Sequence, residues 1–300
     1  MTDAPLTGVG ADAPTPYAFE RLHRDSEGGE AGRLEAQNLL FERSRPLDQI
    51  PPLPEDAEIL DAGSGTGFWA LRLAALAPRG RITCLDRSPE LLDLARRRLE
   101  PLGDRASYLL QDLRSLDLPK GAFHLVFTSL TLAHAPDLEA ALGGLTAALR
   151  PGGWITCFEP VAQGRAFCAV HPPCPNLEML GDLIVDMARE RGSNLGAALA
   201  VVHHLDRLGL EEPALRAYGS ALHGHEAAAC VREVILPLAR TYLRHRWDPE
   251  ALERRVEAAS READQPHLWM HFNRAVALAR KPLPGLGEQQ PLGLPPGELG

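Results

Sequence analysis

The sequence predicts an α/β fold: a doubly wound, mostly parallel sheet with helices on both faces and a helical cap inserted in its C-terminal half. Three observations carry this. From residue 57 short apolar runs alternate with amphipathic segments, as in successive strand–helix units. The first run ends in a glycine-rich turn, "GSGTG", before a helical pattern. After residue 160 the pattern becomes mainly helical, with two late strands.

Taken in order, "EILDA" (58–62) reads as a strand and 68–76 as a helix. "RITCLD" (81–86) is the next strand, and 88–100 a helix with Ser88 as N-cap and Pro89 at its first position. "ASYLLQD" (106–112), "FHLVFTS" (123–129) and "GWITCFE" (153–159) read as three more strands, with a helix over 137–149 and a "PGG" turn at 151–153. Ahead of the sheet, 30–43 has helical spacing that puts Leu34, Leu39 and Leu40 on roughly one face. In the second half, 176–192 and 194–208 are helices ending at Gly192 and Gly209, and 214–223 is a strand. Residues 225–246 and 249–263 are helices, the first kinked or broken before Pro237, and 268–280 is a closing strand. One domain is expected over 17–281: a core to 160, a cap over 161–265, and the closing strand within 266–281. Residues 1–16 and 282–300, rich in Pro and Gly, are expected to be disordered.

Composition bounds the function. Of 300 residues 45% are apolar and 24% charged, as in an ordinary globular protein. A formal charge of −9 argues against binding a phosphate backbone, so no nucleic-acid partner is expected. The first sixteen residues lack the basic start and apolar run of a signal peptide, and no apolar stretch is long enough to span a bilayer. The five scattered cysteines do not suggest a disulfide framework. A cytoplasmic protein with no membrane partner is expected; its oligomeric state is open.

A strand, a glycine turn and a helix start suit an adenosine-containing cofactor, because glycine lets a ligand approach the backbone closely. The dinucleotide fingerprint needs glycine at positions one, three and six. Here Gly63, Gly65 and Gly67 stand at one, three and five, and Phe68 holds the sixth, which disfavours a nicotinamide oxidoreductase. The absence of a Lys-Ser or Lys-Thr ending disfavours a phosphate-loop nucleotidase. Asp86 ends the second strand, where a carboxylate can accept ribose hydroxyl protons; alone it is as often a helix cap. Asp112 ends the third, where it can accept from an adenine amino group or simply form a turn.

"ILDAGSGTGFWAL", "ITCLDRSPELLDLAR", "YLLQDLRSLDLP", "FHLVFTSLTLAHAPD" and "ALRPGGWITCFEP" resemble, in order, the motifs of class I S-adenosylmethionine-dependent methyltransferases over about residues 56–160. The small-molecule group around ubiquinone and menaquinone biosynthesis is the most similar in flavour. The resemblance implies a Rossmann-like sheet of seven strands, the last antiparallel, with S-adenosylmethionine across the strand ends. It implies that Asp61, Ala62, Gly63, Ser64 and Gly65 line the methionine portion. Asp86 with Arg87 would hold the ribose side, Gln111, Asp112 and Leu113 the adenine, and Ser129 would lie beneath the sulfonium. "RLEAQ" (33–37) is similar to a helix that closes over the cofactor, adding Arg33 and Gln37. The sequence departs from the family at Phe123-His124, where Phe-Asp is usual, and lacks the Pro-Pro-aromatic signature of amine methylation after the fourth strand.

Methyl transfer needs alignment and sometimes proton removal. His134 and Glu159 are the candidates for that last task, against plain readings as a helix-edge histidine and an ion-paired acid. "CAVHPPC" places Cys168, His171 and Cys174 at metal-ligand spacing, but no second Cys-x-x-Cys pair supports it. It reads as a loop with buried thiols, and no metal is expected. Cys84 and Cys157 read as core residues. The leading expectation is methyl transfer to an O, N or C nucleophile of a small molecule. The alternative is a non-catalytic S-adenosylmethionine-binding protein whose cap binds a partner.

Overall fold

The structure is a computed structural model that describes residues 29–161 and 168–284. The ends expected to be disordered, 1–16 and the part of 282–300 beyond 284, lie outside the described residues, as does 17–28. The strands are β1 (Glu58–Ala62), β2 (Arg81–Asp86), β3 (Ala106–Leu110), β4 (Phe123–Ser129), β5 (Leu149–Pro160), β6 (Ala169–His171), β7 (Glu211–His223) and β8 (Trp269–Arg280). The helices are α1 (Gly29–Glu42), α2 (Phe68–Leu76), α3 (Pro89–Leu99), α4 (Leu138–Ala148), α5 (Pro175–Glu190), α6 (Ala197–Arg207), α7 (His225–Cys230), α8 (Leu236–Leu243) and α9 (Pro249–Glu262).

The path through the sheet runs β3-β2-β1-β4-β5-β8, with β7 on the far edge of β8. β1 to β5 pair in parallel; β8 runs antiparallel to β5 and β7. β5 covers Arg274–Arg280 and β6 covers Trp269–His271. Because β7 occupies the other edge of β8 throughout, β5 and β6 share one position, and eight strands fill seven places. β6 is the strand the sequence did not announce.

Apolar packing explains the layers. Leu73, Ile82, Leu125 and Phe127 fill the core between the sheet and α2 and α3; Leu60, Val126, Leu142 and Leu145 fill the opposite face. A third cluster, including Leu177, Val231, Leu252 and Phe272, holds the cap to the end of the sheet. Ser88, Asp137 and Asp248 cap α3, α4 and α9, accepting from the N–H groups of Leu91, Ala140 and Ala251. Each cap stabilises its helix by about 1 kcal/mol.

Four expectations are corrected. The "PGG" turn is absorbed into β5: the ladder shifts register between Phe123 and Leu125, so residues 149–154 oppose only that short stretch, as a bulge. Gly152, at φ 74, supplies the tight backbone. β3 stops at Leu110, two residues early. The 225–246 helix widens before Pro237 through a π-turn over Val231–Ile235, which accommodates the missing proline N–H without a break. Leu39 is exposed, and α1 instead buries Glu30, Arg33 and Phe41. The family departure at His124 has a local use: its Nδ1 accepts from the Glu58 N–H at 3.0 Å, at the start of β1.

Candidate active site

The ends of β1, β2, β3 and β4 open onto one cavity of about 290 Å³, roofed by α1 and closed by the cap. The glycine turn forms its floor. Gly63 has φ 78, and a Cβ there would stand 2.2 Å from Thr131 Oγ1, so the turn and the loop after β4 touch only because the residue is glycine. Gly65 differs: its φ is 54 and a Cβ would meet nothing within 4 Å. It presents bare backbone to the cavity.

Asp86, at the end of β2, lines the cavity beside it. Its Oδ2 accepts from the Gly65 N–H at 2.9 Å and its Oδ1 from the Ser88 N–H at 3.0 Å. Burial pushes its carboxyl above the usual range, against these N–H donors. Arg87, Gln111, Asp112, Leu113 and Ser129 also line the wall, with Ser64 next to Gly65. Gln111 exchanges two hydrogen bonds with the Asp117 backbone, which ties its amide to the following loop. Asp112 accepts from the Arg114 N–H at 2.9 Å and from its guanidinium at 2.7 Å, which holds its carboxyl below the usual range. Ser129 Oγ is buried and has no hydrogen-bond partner among the described residues.

From above, α1 contributes Arg33 and Gln37. Arg33 is fixed by Glu30 (2.7 Å) and by Gln37 Oε1 (2.7 Å). The helix is moored to the core by Arg98 on Glu35 (2.7 Å) and Arg72 on Glu42 (2.8 Å), and Arg98 also donates to Thr66 of the glycine turn. Exposed ion pairs stabilise little singly; here they fix where the roof sits.

Asp61 and Ala62 lie behind the wall instead of in it. Asp61 accepts from the Ala70 N–H, and burial, then the nearby Asp86 charge, pushes its carboxyl up to about 8. Glu159 does not face the cavity either. It is fully buried and accepts from Thr128 Oγ1 and from the backbone N–H groups of Thr131, Leu132 and Ala133 at 3.0 to 3.3 Å. The pleat of β5 sends Pro160 to the cavity and the Glu159 carboxyl to the opposite side. Burial outweighs its donors and pushes it up to about 7.

His134 does line the cavity. Its Nδ1 lies 2.9 Å from Ser193 Oγ, and burial, then the charges of Arg87 and Arg33, brings it down to about 4. At neutral pH it is an uncharged imidazole, the form that takes a proton.

These shifts set a pH dependence. A carboxyl raised in the fold stabilises it most below its unfolded pKa, and that stability is lost as pH rises through the folded value; this describes Asp61 and Glu159. His134 acts oppositely, but only between its folded and unfolded values, so it no longer compensates above about 6.5. Urea unfolding is therefore expected to give a free energy lower at pH 8 than at pH 6 by roughly 1–3 kcal/mol. A curve flat or rising over that interval contradicts the assignment.

Sequence reasoning missed Trp69, Thr131, Tyr242, Asn273 and Arg274, all in the wall. The one available signal was Arg274, a lone charge before the apolar run "AVALA". In the loop with metal-ligand spacing, His171 is exposed on β6, and buried Cys174 donates to the Pro172 carbonyl at the start of α5.

Residues 59–153 match the family model described as a methyltransferase domain. A malonyl-[acyl-carrier protein] O-methyltransferase of Serratia marcescens is 36% identical over 138 residues, 46% of this chain and 47% of that protein. A demethylmenaquinone methyltransferase of Thermus thermophilus is 38% identical over 114 residues, 38% of this chain and 52% of that protein. The chain thus spans about half the length of the curated relatives it matches. In fold it is similar to a Haemonchus contortus phosphoethanolamine N-methyltransferase solved with phosphomonomethylethanolamine and S-adenosylhomocysteine. That likeness has a TM-score of 0.55 at 17% identity, covering 89% of this chain and 60% of the other. The glycine turn and the acid at the end of β2 lie within the matched stretch: residues 59–153 carry the methyltransferase domain, and the fold is similar to that of solved methyltransferases.

Proposed function

We propose that the protein is an enzyme that moves the methyl group of S-adenosylmethionine to an O, N or C nucleophile of a small molecule by in-line displacement. The observation that carries this is the cradle at Gly65: a left-handed residue with open space where a side chain would be, beside the Asp86 carboxylate at a strand end. Bare backbone and an adjacent acid fit a ribose and the chain attached to it. Asp86 would hold the ribose hydroxyls and Leu113, with Asp112, the adenine. Ser129, Arg33 and Gln37 would surround the methionine portion.

The cofactor supplies an activated methyl on a sulfonium. The chain does the rest: it buries the reactants under α1, excludes water and fixes the direction of approach. His134, neutral and oriented by Ser193, borders the acceptor space; with its pKa down at about 4 it would be a weak base, suited to orienting the acceptor and taking a proton only transiently. Beyond the cofactor residues the cavity continues between Ile184, Leu238, Tyr242 and Phe272, room that favours a small-molecule acceptor over a purely binding protein. The core would thus serve the cofactor and the cap the acceptor. Free thiols at all five cysteines support a cytoplasmic setting, and no helix among the described residues is long and apolar enough to cross a membrane.

Calorimetry tests the reading. S-adenosylmethionine and S-adenosylhomocysteine are expected to bind and NAD not to. Gly65→Val is expected to weaken both sulfur compounds at least about tenfold, or ~1.4 kcal/mol, and its strain at positive φ to lower stability by about 1–2 kcal/mol, so affinity is compared on the folded protein. Labelled methyl should pass from the cofactor into a component of a metabolite extract. Binding of NAD alone would end the proposal.

A further inference from the structure

We infer that the methyl acceptor is an apolar molecule bearing an oxygen, as a hydroxyl or a carbonyl, and that the Tyr242 hydroxyl donates to this oxygen and so orients the acceptor. This deepens the methyl-transfer reading and rests on it for the word acceptor; the oxygen-binding pocket itself does not depend on it.

Tyr242 stands on α8 and lines the cavity, although it is only 6% exposed. Its ring is anchored: it belongs to the apolar cluster that holds the cap to the sheet, and the Arg191 guanidinium lies 4.7 Å from its centre. The helix beneath it is held as well. Thr241 Oγ1 donates to the Pro237 carbonyl at 2.8 Å, and Arg240 donates to Glu253 of α9 at 3.0 Å. The Tyr242 hydroxyl, by contrast, makes no hydrogen bond among the described residues. A tyrosine buried to this degree normally pairs its hydroxyl as well as packing its ring. Here the ring is packed and the hydroxyl is left over, on a side chain that borders a cavity. Burial pushes the phenol above its ordinary value, so at neutral pH it is protonated and serves as a donor. The charges of Arg33 and Glu30 also act on it, which sets it near the α1 roof, where the acceptor would be enclosed.

The surrounding wall sets the rest of the molecule. Ile184 and Leu238 belong to the same cluster as Tyr242 and also line the cavity, with Ala188 one turn further along α5. An apolar body suits these side chains. The carboxylates among the described lining residues are Asp86 and Asp112, at the β2 and β3 ends of the cavity, and no acid of α5 or α8 joins them. An ammonium held against the cap would lose its hydration without a carboxylate to pair with. A hydroxyl or carbonyl oxygen is cheaper to bury and gains the bond from Tyr242.

The test titrates n-octanol, methyl hexyl ketone, n-octylamine and n-heptyl chloride into the full chain by calorimetry, with and without saturating S-adenosylhomocysteine. Both oxygen probes are expected to bind at least about tenfold tighter than octylamine, a cation at neutral pH. Tyr242→Phe removes only the hydroxyl. It should weaken the oxygen probes by about three- to tenfold, the range of a neutral hydrogen bond, and change heptyl chloride less than about twofold. Its melting temperature should stay within about 2 °C of wild type or rise, whereas loss of a hydrogen bond made within the protein would lower it by about 2–4 °C. The wild-type ranking needs no variant, so misfolding of Tyr242→Phe cannot hide the answer. Octylamine binding as tightly as octanol, no binding by either oxygen probe, or a folded Tyr242→Phe protein that weakens octanol no more than heptyl chloride overturns the inference. Failure of S-adenosylhomocysteine to bind, with the oxygen preference intact, would sink the methyl-transfer reading and leave this pocket standing.

Discussion

Asp86→Ala is expected to lower the affinity for S-adenosylhomocysteine by about 10²-fold, the largest loss from any single residue of the proposed cofactor site. Two hydroxyl-to-carboxylate hydrogen bonds in a buried setting contribute roughly 1.5 kcal/mol each, and their sum corresponds to that factor. The removal also frees the Gly65 and Ser88 N–H groups, now bonded to Asp86 at 2.9 and 3.0 Å. The Gly65 N–H faces the cavity, where water can replace the carboxylate, but the Ser88 N–H is buried, so stability should fall by about 1–3 kcal/mol. Asp86→Asn keeps one acceptor oxygen and should lose about tenfold. The order Asp, Asn, Ala in calorimetry, with overlapping circular dichroism spectra, is the expected result. Affinity unchanged within about threefold in a folded Asp86→Ala protein would show that the ribose is not held here, since one charge-assisted bond alone exceeds that margin.

Much of the fold, and part of the lining of the candidate site, were legible because their determinants are local. β1, α2, β2 and β4 have the bounds their sequence implies, since glycines, prolines and apolar runs mark both ends. Asp86, at the end of β2, and Gly65, in the turn after β1, follow from the same reading, whereas Ser129 came from the resemblance; all three line the cavity. The boundaries that moved did so for reasons supplied by a neighbour. β3 ends early because Gln111 makes only one last bond to β2, its N–H donating to the Asp86 carbonyl at 3.1 Å, while its side chain and Asp112 bond to the following loop. β5 begins early because β4 offers it a partner at Phe123.

The cap side of the site was not legible, and the reason is topological. Arg274 reaches the cavity only because the last strand inserts between β5 and β7. Tyr242 and Ile184 reach it only after α5 and α8 fold over that strand. Such placements come from long-range pairing and leave no periodic trace. Glu159 shows the converse error. An acid at a strand end resembles a site residue in sequence, and a pleat one residue out of phase turned it inward.

Glu159→Ala should accordingly act on stability. The carboxylate gathers three consecutive backbone N–H groups and one hydroxyl, and in doing so it shapes the loop that carries Thr131 and His134. That loop in turn packs on Gly63, with Thr131 Oγ1 within 3.5 Å of the Gly63 carbonyl. Truncation leaves these donors buried without an acceptor, at about 1–3 kcal/mol for each that water cannot reach. A loss of about 3–5 kcal/mol in urea unfolding is expected, large against the 5–15 kcal/mol that holds a typical domain together. Glu159→Gln retains one acceptor oxygen but turns a donor toward the Ala133 N–H, and should lose about half as much. It also removes one of the raised carboxyls, so the fall in stability between pH 6 and 8 should shrink in this variant. A catalytic acid predicts a different pattern: Glu159→Gln would fold with wild-type stability and lose about 10²–10⁴-fold in kcat. Turnover within about tenfold of wild type, together with an easier unfolding transition, identifies Glu159 as the residue that holds the loop in place.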